Sequence, residues 1–86
     1  MSEVAIVIRE VLEAQGRLPV PISSLTDRDD LYDNGLTSHA SVNVMLALED
    51  AFDIEFPDAL LKKSTFESVT AIEDALATLG VNAGPT

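Results

Sequence analysis

Residues 17–36 break an otherwise helical pattern, and that interruption limits what the chain can become. Pro19, Pro21 and Gly35 punctuate the stretch, and Asp27, Asp29, Asp30 and Asp33 add turn-forming side chains. Leu18, Val20, Ile22, Leu25, Leu31 and Leu36 are interleaved with them. Such a segment is predicted to be a long loop pinned to a core by its apolar residues. Loops of this length are uncommon in compact domains, and those that occur are usually functional.

Helical patterns flank the loop on both sides. Val4, Val7, Ile8, Val11 and Leu12 recur at helical spacing, with Ser2 as N-cap and Gly16 at the C′ position. The β-branched cluster Val4, Ile6, Val7 and Ile8 suits a strand equally well, but length and caps favour a helix over residues 2–15. A second helix is predicted from Thr37 or Ser38 to about Phe52. Its stripe is Val44, Met45, Leu48 and Phe52, flanked by Val42 and Leu46. A short helix is predicted over residues 57–63, with Pro57 and Asp58 at its start and Lys62 and Lys63 at its end. The last helix begins at the cap Ser68, runs through Val69, Ile72, Leu76 and Leu79, and stops at Gly80. No strand is required. The expected fold is all-α, a small four-helix bundle of three main helices and one short one, with residues 1–80 as the domain and 81–86 as a fraying tail.

Composition excludes several function classes. The net charge is −10, yet 47% of the 86 residues are hydrophobic and mean hydropathy is +0.21, unlike a disordered acidic tail. Five bases and four aromatics provide neither a phosphate-binding patch nor a stacking platform for nucleic acid. Cysteine is absent, so the chain has no thiol of its own for a disulfide, a metal or a thioester. The N-terminus lacks a basic leader region, and the apolar run at residues 4–8 is too short to span a bilayer, so a cytoplasmic protein without a membrane partner is expected. A monomer is the expected state. Asp30, Tyr32, Asn34, Gly35 and Ser41 fall at EF-hand spacing. Tyr32 supplies no carboxylate, however, and Ser41 stands where a bidentate Glu is needed, so no metal site is expected.

The most informative segment is Asp33-Asn34-Gly35-Leu36-Thr37-Ser38-His39. Gly35 permits a positive φ in the turn, Leu36 can anchor it, and Thr37 can cap the following helix. Ser38 then occupies the first helical position with its hydroxyl toward solvent. An anion attached there meets unpaired amides at the positive helix end. A serine at a helix start is by itself most often only a cap.

The wider context adds a resemblance. Gly35-Leu36-Thr37-Ser38, followed by Val42, Leu46, Leu48 and the run Glu49-Asp50-Ala51-Phe52-Asp53-Ile54-Glu55-Phe56-Pro57-Asp58, resembles the acyl and peptidyl carrier proteins. The resemblance implies a four-helix fold without catalysis of its own. It also implies that Ser38 carries 4′-phosphopantetheine taken from coenzyme A by a phosphopantetheinyl transferase, which with Mg²⁺ helps the Ser38 hydroxyl attack the pyrophosphate. The missing thiol would then come from the arm, which presents an activated group to separate enzymes at high effective concentration.

Carriers of fatty-acid synthesis usually have Asp before this serine, Leu after it and acids in the next turn. Here Thr37, His39, Ala40, Ser41 and Asn43 stand instead. The segments Ser38 to Leu46 and Phe52 to Leu61 more closely resemble small freestanding aminoacyl carrier proteins, charged by amino acid:carrier protein ligases related to seryl-tRNA synthetase. A small amino acid held as a thioester and delivered to a downstream acceptor enzyme is the implied role. The expected partner footprint is Leu36, Thr37, His39, Ala40, Asn43, Val44 and Ala47. Two alternatives stay open: an acyl carrier of a fatty-acid or polyketide-type pathway, and an unmodified acidic helical adaptor. His39, the single histidine, invites a general-base role beside Ser38, but consecutive helical side chains diverge by about 100°. It is read as a surface residue of the footprint. Glu49 and Asp50 are read either as recognition residues or as a solvated face. Residues 27–58 hold nine acids and one base, Arg28, with a gap in the charge from 36 to 47. Client identity is therefore expected to be read there by shape and apolar contact.

Overall fold

A computed structural model describes residues 3–81 as three helices joined by loops and short 3-10 turns. Helix α1 is Glu3–Gln15, α2 is Ser38–Phe52 and α3 is Val69–Thr78. The expected Ser2 cap and the tail at 82–86 lie outside the described residues. Helix α1 packs against both α2 and α3. Ile8, Leu12, Leu31, Val44, Leu48, Val69, Ile72 and Leu76 are fully enclosed between them. No strand occurs among the described residues.

The long loop is tied down by hydrogen bonds as well as by apolar anchors. Ile22, Leu25, Leu31 and Leu36 are buried, and a 3-10 turn forms at Ile22–Ser24. The Arg9 guanidinium reaches from α1 to Asp27 Oδ1 at 2.6 and 3.2 Å and to the Ile22 carbonyl at 3.0 Å. The Thr70 amide, in the first turn of α3, donates to the Asp27 carbonyl at 2.9 Å, and the Leu31 amide donates to the Glu67 carbonyl at 2.7 Å. One loop thereby staples the first and last helices.

Both predicted caps on α2 and α3 form. Thr37 Oγ1 accepts from the Ala40 amide and Ser68 Oγ from the Ala71 amide, each at 3.0 Å. At the end of α3 the amides of Gly80 and Val81 donate to the Ala77 and Leu76 carbonyls, a Schellman closure with Gly80 at φ +92°. Two details differ from the sequence reading. Gly16 does not close α1; its amide still bonds the Leu12 carbonyl at 2.8 Å, and Arg17 takes the left-handed position at φ +52°. The short helix over 57–63 is instead two 3-10 turns, Asp58–Leu60 and Lys63–Phe66, separated by extended backbone at Lys62. Phe56 and Phe66 flank the segment, are both buried and meet edge to face at 5.4 Å. A straight helix rises about 1.5 Å per residue and would carry its two ends apart.

Glu49 has a defined structural role. Helix α2 ends with Asp53 in the left-handed conformation, and Glu49 Oε2 accepts the Phe56 amide at 2.8 Å. Its carboxylate closes the turn that follows the helix. Glu49→Ala is expected to lower stability by about 1–3 kcal/mol, the cost of stranding a part-buried donor. The exposed Asp50→Ala should stay within about 0.5 kcal/mol. Urea melts of the two variants test the contrast, and equal losses would place Glu49 with the solvated acids.

Candidate functional site

The turn before α2 is built from local bonds. Asp30 Oδ1 accepts the amides of Tyr32 and Asp33 at 2.9 and 3.1 Å, and Asn34 Nδ2 donates to the Asp30 carbonyl at 2.8 Å. The amides of Leu36 and Gly35 return to the carbonyls of Leu31 and Tyr32 at 2.9 and 3.2 Å. This pattern needs a left-handed residue between its two arms, and Gly35 supplies it at φ +110°. Leu31 and Leu36 are both buried, so the turn is anchored at each end. The angle at which the chain enters α2 is thereby fixed.

Ser38 follows as the first residue of α2, exposed and one position past the Thr37 cap. Thr37 occupies only the Ala40 amide. The amides of Ser38 and His39 have no acceptor among the described residues, and they sit at the positive end of the helix. Ser41 Oγ is held by the Ser38 carbonyl at 2.7 Å, which leaves Ser38 as the uncommitted hydroxyl of that turn. His39 is exposed as well, and no hydrogen bond joins it to Ser38.

A groove of about 360 Å³ opens beside Ser38. Ser38, Ser41, Val42 and Met45 of α2 form one wall, and Leu61, Lys62, Lys63 and Phe66 form the other. Tyr32 stands at its side, with Lys63 Nζ 4.8 Å above the ring centroid. Two of its lining apolar side chains are exposed, since Val42 and Leu61 are each about half accessible.

The expected footprint divides into two groups. Thr37 and His39 are exposed, and Asn43 and Ala47 are half-buried at the surface. Leu36, Ala40 and Val44 are not available to a partner, because they lie in the core at 4%, 3% and 0% exposure. Ala40, Val44 and Leu48 fall at i, i+4 and i+8, and that row faces α1 and the rest of the core. Val42 and Leu46, read as flanks of the buried stripe, project outward instead. The groove residues Tyr32, Leu61 and Lys63 escaped the sequence reading because they come from separate segments. One signal was present: apolar residues at 42, 44, 45, 46 and 48 surround more of the helix than one buried face can take. Among the described residues no helix is long and apolar enough to cross a membrane, and no cluster of His, Asp or Glu could hold a metal ion.

Comparison with known proteins fits this geometry. The family described as phosphopantetheine attachment site matches residues 7–76. An aminoacyl carrier protein of Agrobacterium fabrum (strain C58 / ATCC 33970) is 54% identical over 69 residues, which is 80% of this chain and 83% of that protein. The carrier protein from Agrobacterium tumefaciens, in complex with an engineered Bradyrhizobium japonicum glycine:[carrier protein] ligase and AMP, superposes with a TM-score of 0.83. It is 51% identical, and the match covers 85% of this chain and 97% of that one. A glycylated carrier protein bound to Bradyrhizobium japonicum glycine:[carrier protein] ligase matches at 29% identity with a TM-score of 0.72, over 84% of this chain and 96% of that one. The chain belongs to the phosphopantetheine-attachment family, as a carrier rather than an enzyme, with 4′-phosphopantetheine as its prosthetic group and the aminoacyl carrier proteins as its kin.

Proposed function

We propose that this protein carries an activated amino acid as a thioester on 4′-phosphopantetheine joined to Ser38. The observation that carries the reading is the position of Ser38. Its exposed hydroxyl opens α2 beside two amides without acceptors and at the mouth of an apolar groove. A phosphodiester fits that helix end electrostatically, and the groove offers the arm an apolar bed. The arm supplies the thiol that a chain without cysteine lacks. The chain's own residues hold the attachment point rigid through Gly35, Leu36 and Thr37, and leave its hydroxyl accessible to a transferase.

The amino acid:carrier protein ligase is the partner that loads the arm, and a downstream acceptor enzyme unloads it. Since relatives have been seen with glycine:[carrier protein] ligases, glycine is the first cargo to test. The footprint they read is Thr37, His39, Asn43 and Ala47, joined by the outward Val42 and Leu46. The nearly uncharged first half of α2 supports an aminoacyl ligase over enzymes that read an acidic helix. A cytoplasmic site of action is part of this reading, since loading draws on coenzyme A and ATP.

Intact mass provides the test. Incubation with coenzyme A and a phosphopantetheinyl transferase should add one phosphopantetheine to the wild type and none to Ser38→Ala. Ser41→Ala and His39→Ala should both accept it. Ligase, ATP and glycine should then add one glycyl group that hydroxylamine removes. A wild type left unmodified by several transferases would falsify the assignment of Ser38.

A further inference from the structure

The attached phosphodiester is an anion placed in the most acidic part of the chain. Residues 27–58 carry nine acids against Arg28, and those nine carboxylates disfavour an added negative charge. The open amides at the start of α2 offset part of this. The other source of positive charge at the groove is its opposite wall, where Lys62 and Lys63 stand.

The two lysines are placed differently. Lys62 also borders a second, more open depression shared with Asp74 and Thr65. Lys63 is drawn across the first groove, with its ammonium 4.8 Å above the Tyr32 ring. Tyr32 belongs to the turn that leads into Ser38, and Tyr32, Ser38 and Lys63 all line this one groove. An exposed cation–π contact is a weak restraint, whereas an ammonium–phosphate hydrogen bond is charge-assisted and markedly stronger.

We infer that Lys63 is a positioning residue for the prosthetic arm. In the unmodified protein it rests on Tyr32; once Ser38 is modified, its ammonium moves from the ring to the phosphodiester and settles the first part of the arm along the groove. The inference rests on Ser38 being the attachment point.

Nuclear magnetic resonance of the full chain before and after modification tests it, with intact mass read first. In the unmodified protein the Tyr32 ring current should hold the Lys63 Hε protons upfield of ordinary lysine positions. Modification should return them to ordinary positions. The phosphorus resonance of the arm should shift between wild type and Lys63→Gln, and the difference should shrink as salt is raised. Lys62→Gln, the same charge change one residue away, should match the wild type. Lys63 protons that stay upfield after modification, or phosphorus shifts equal in wild type and Lys63→Gln, overturn the role of Lys63. A phosphorus change as large in Lys62→Gln overturns its specificity. An absent mass gain overturns the attachment at Ser38 instead, and that result is known before any spectrum is recorded.

Discussion

Ala40→Glu is expected to leave most of the protein unfolded. Ala40 is 3% exposed, on the row with Val44 and Leu48 that faces the core. A carboxylate there has no cationic partner, and an unpaired buried charge costs about 3–5 kcal/mol. The added side-chain volume costs about 1–3 kcal/mol more, because packed cores accommodate extra methylenes poorly. Globular domains hold about 5–15 kcal/mol in total, and chains of this size sit at the low end. The two losses together remove most or all of the stability. Far-UV circular dichroism and urea melts measure it. The exposed His39→Glu, one residue away, is expected to stay within about 0.5 kcal/mol of wild type. An Ala40→Glu protein that melts with the wild type would mean the inward row of α2 is misassigned.

The same pair shows what could be read from the sequence. Thr37, Ser68 and Gly35 were legible because caps and positive-φ turns are local: each is settled by a few neighbouring residues. The inward row of α2 was legible at Val44 and Leu48 but not in its first turn. Apolar side chains lie on several of its faces, and Ala40, whose small side chain gives little hydrophobic signal, marks the first turn of the true inward row. The footprint expected at Leu36, Ala40 and Val44 is closed to a partner, because all three are buried. The segment after α2 misled for a related reason. Asp58, Lys62 and Lys63 complement a helix dipole, but the inward turns of Phe56 and Phe66 outweigh local preference and split the segment into two turns. The groove beside Ser38 lies furthest from sequence reasoning. Tyr32, Met45 and Lys63 line it from three separate segments, which no local pattern relates.

Gly35→Ala carries the second large effect, and it couples stability to the site. Two separate costs arise at one position. The backbone sits at φ +110°, which an L side chain rarely adopts, and such strain costs about 1–3 kcal/mol. The new Cβ would also lie 2.4 Å from Pro19 Cδ and 2.8 Å from Pro19 Cγ, so the turn or the proline must move. Relieving an overlap of that kind costs about 1–3 kcal/mol. Because the turn sets Leu36 and the Thr37 cap, the shift should reach Ser38, and phosphopantetheine transfer should slow in the fraction that remains folded. Pro19→Ala separates the two costs, since it removes Cγ and Cδ and leaves φ unchanged. By itself it should destabilise by about 0.4–1 kcal/mol, through the greater freedom of the unfolded chain. Combined with Gly35→Ala it should recover much of the clash, so the double variant is more stable than the sum of the two single losses predicts. The expected coupling is about 1–3 kcal/mol, readable by urea melts as a double-mutant cycle. Strictly additive losses would assign the whole effect to backbone strain and leave Pro19 as a bystander.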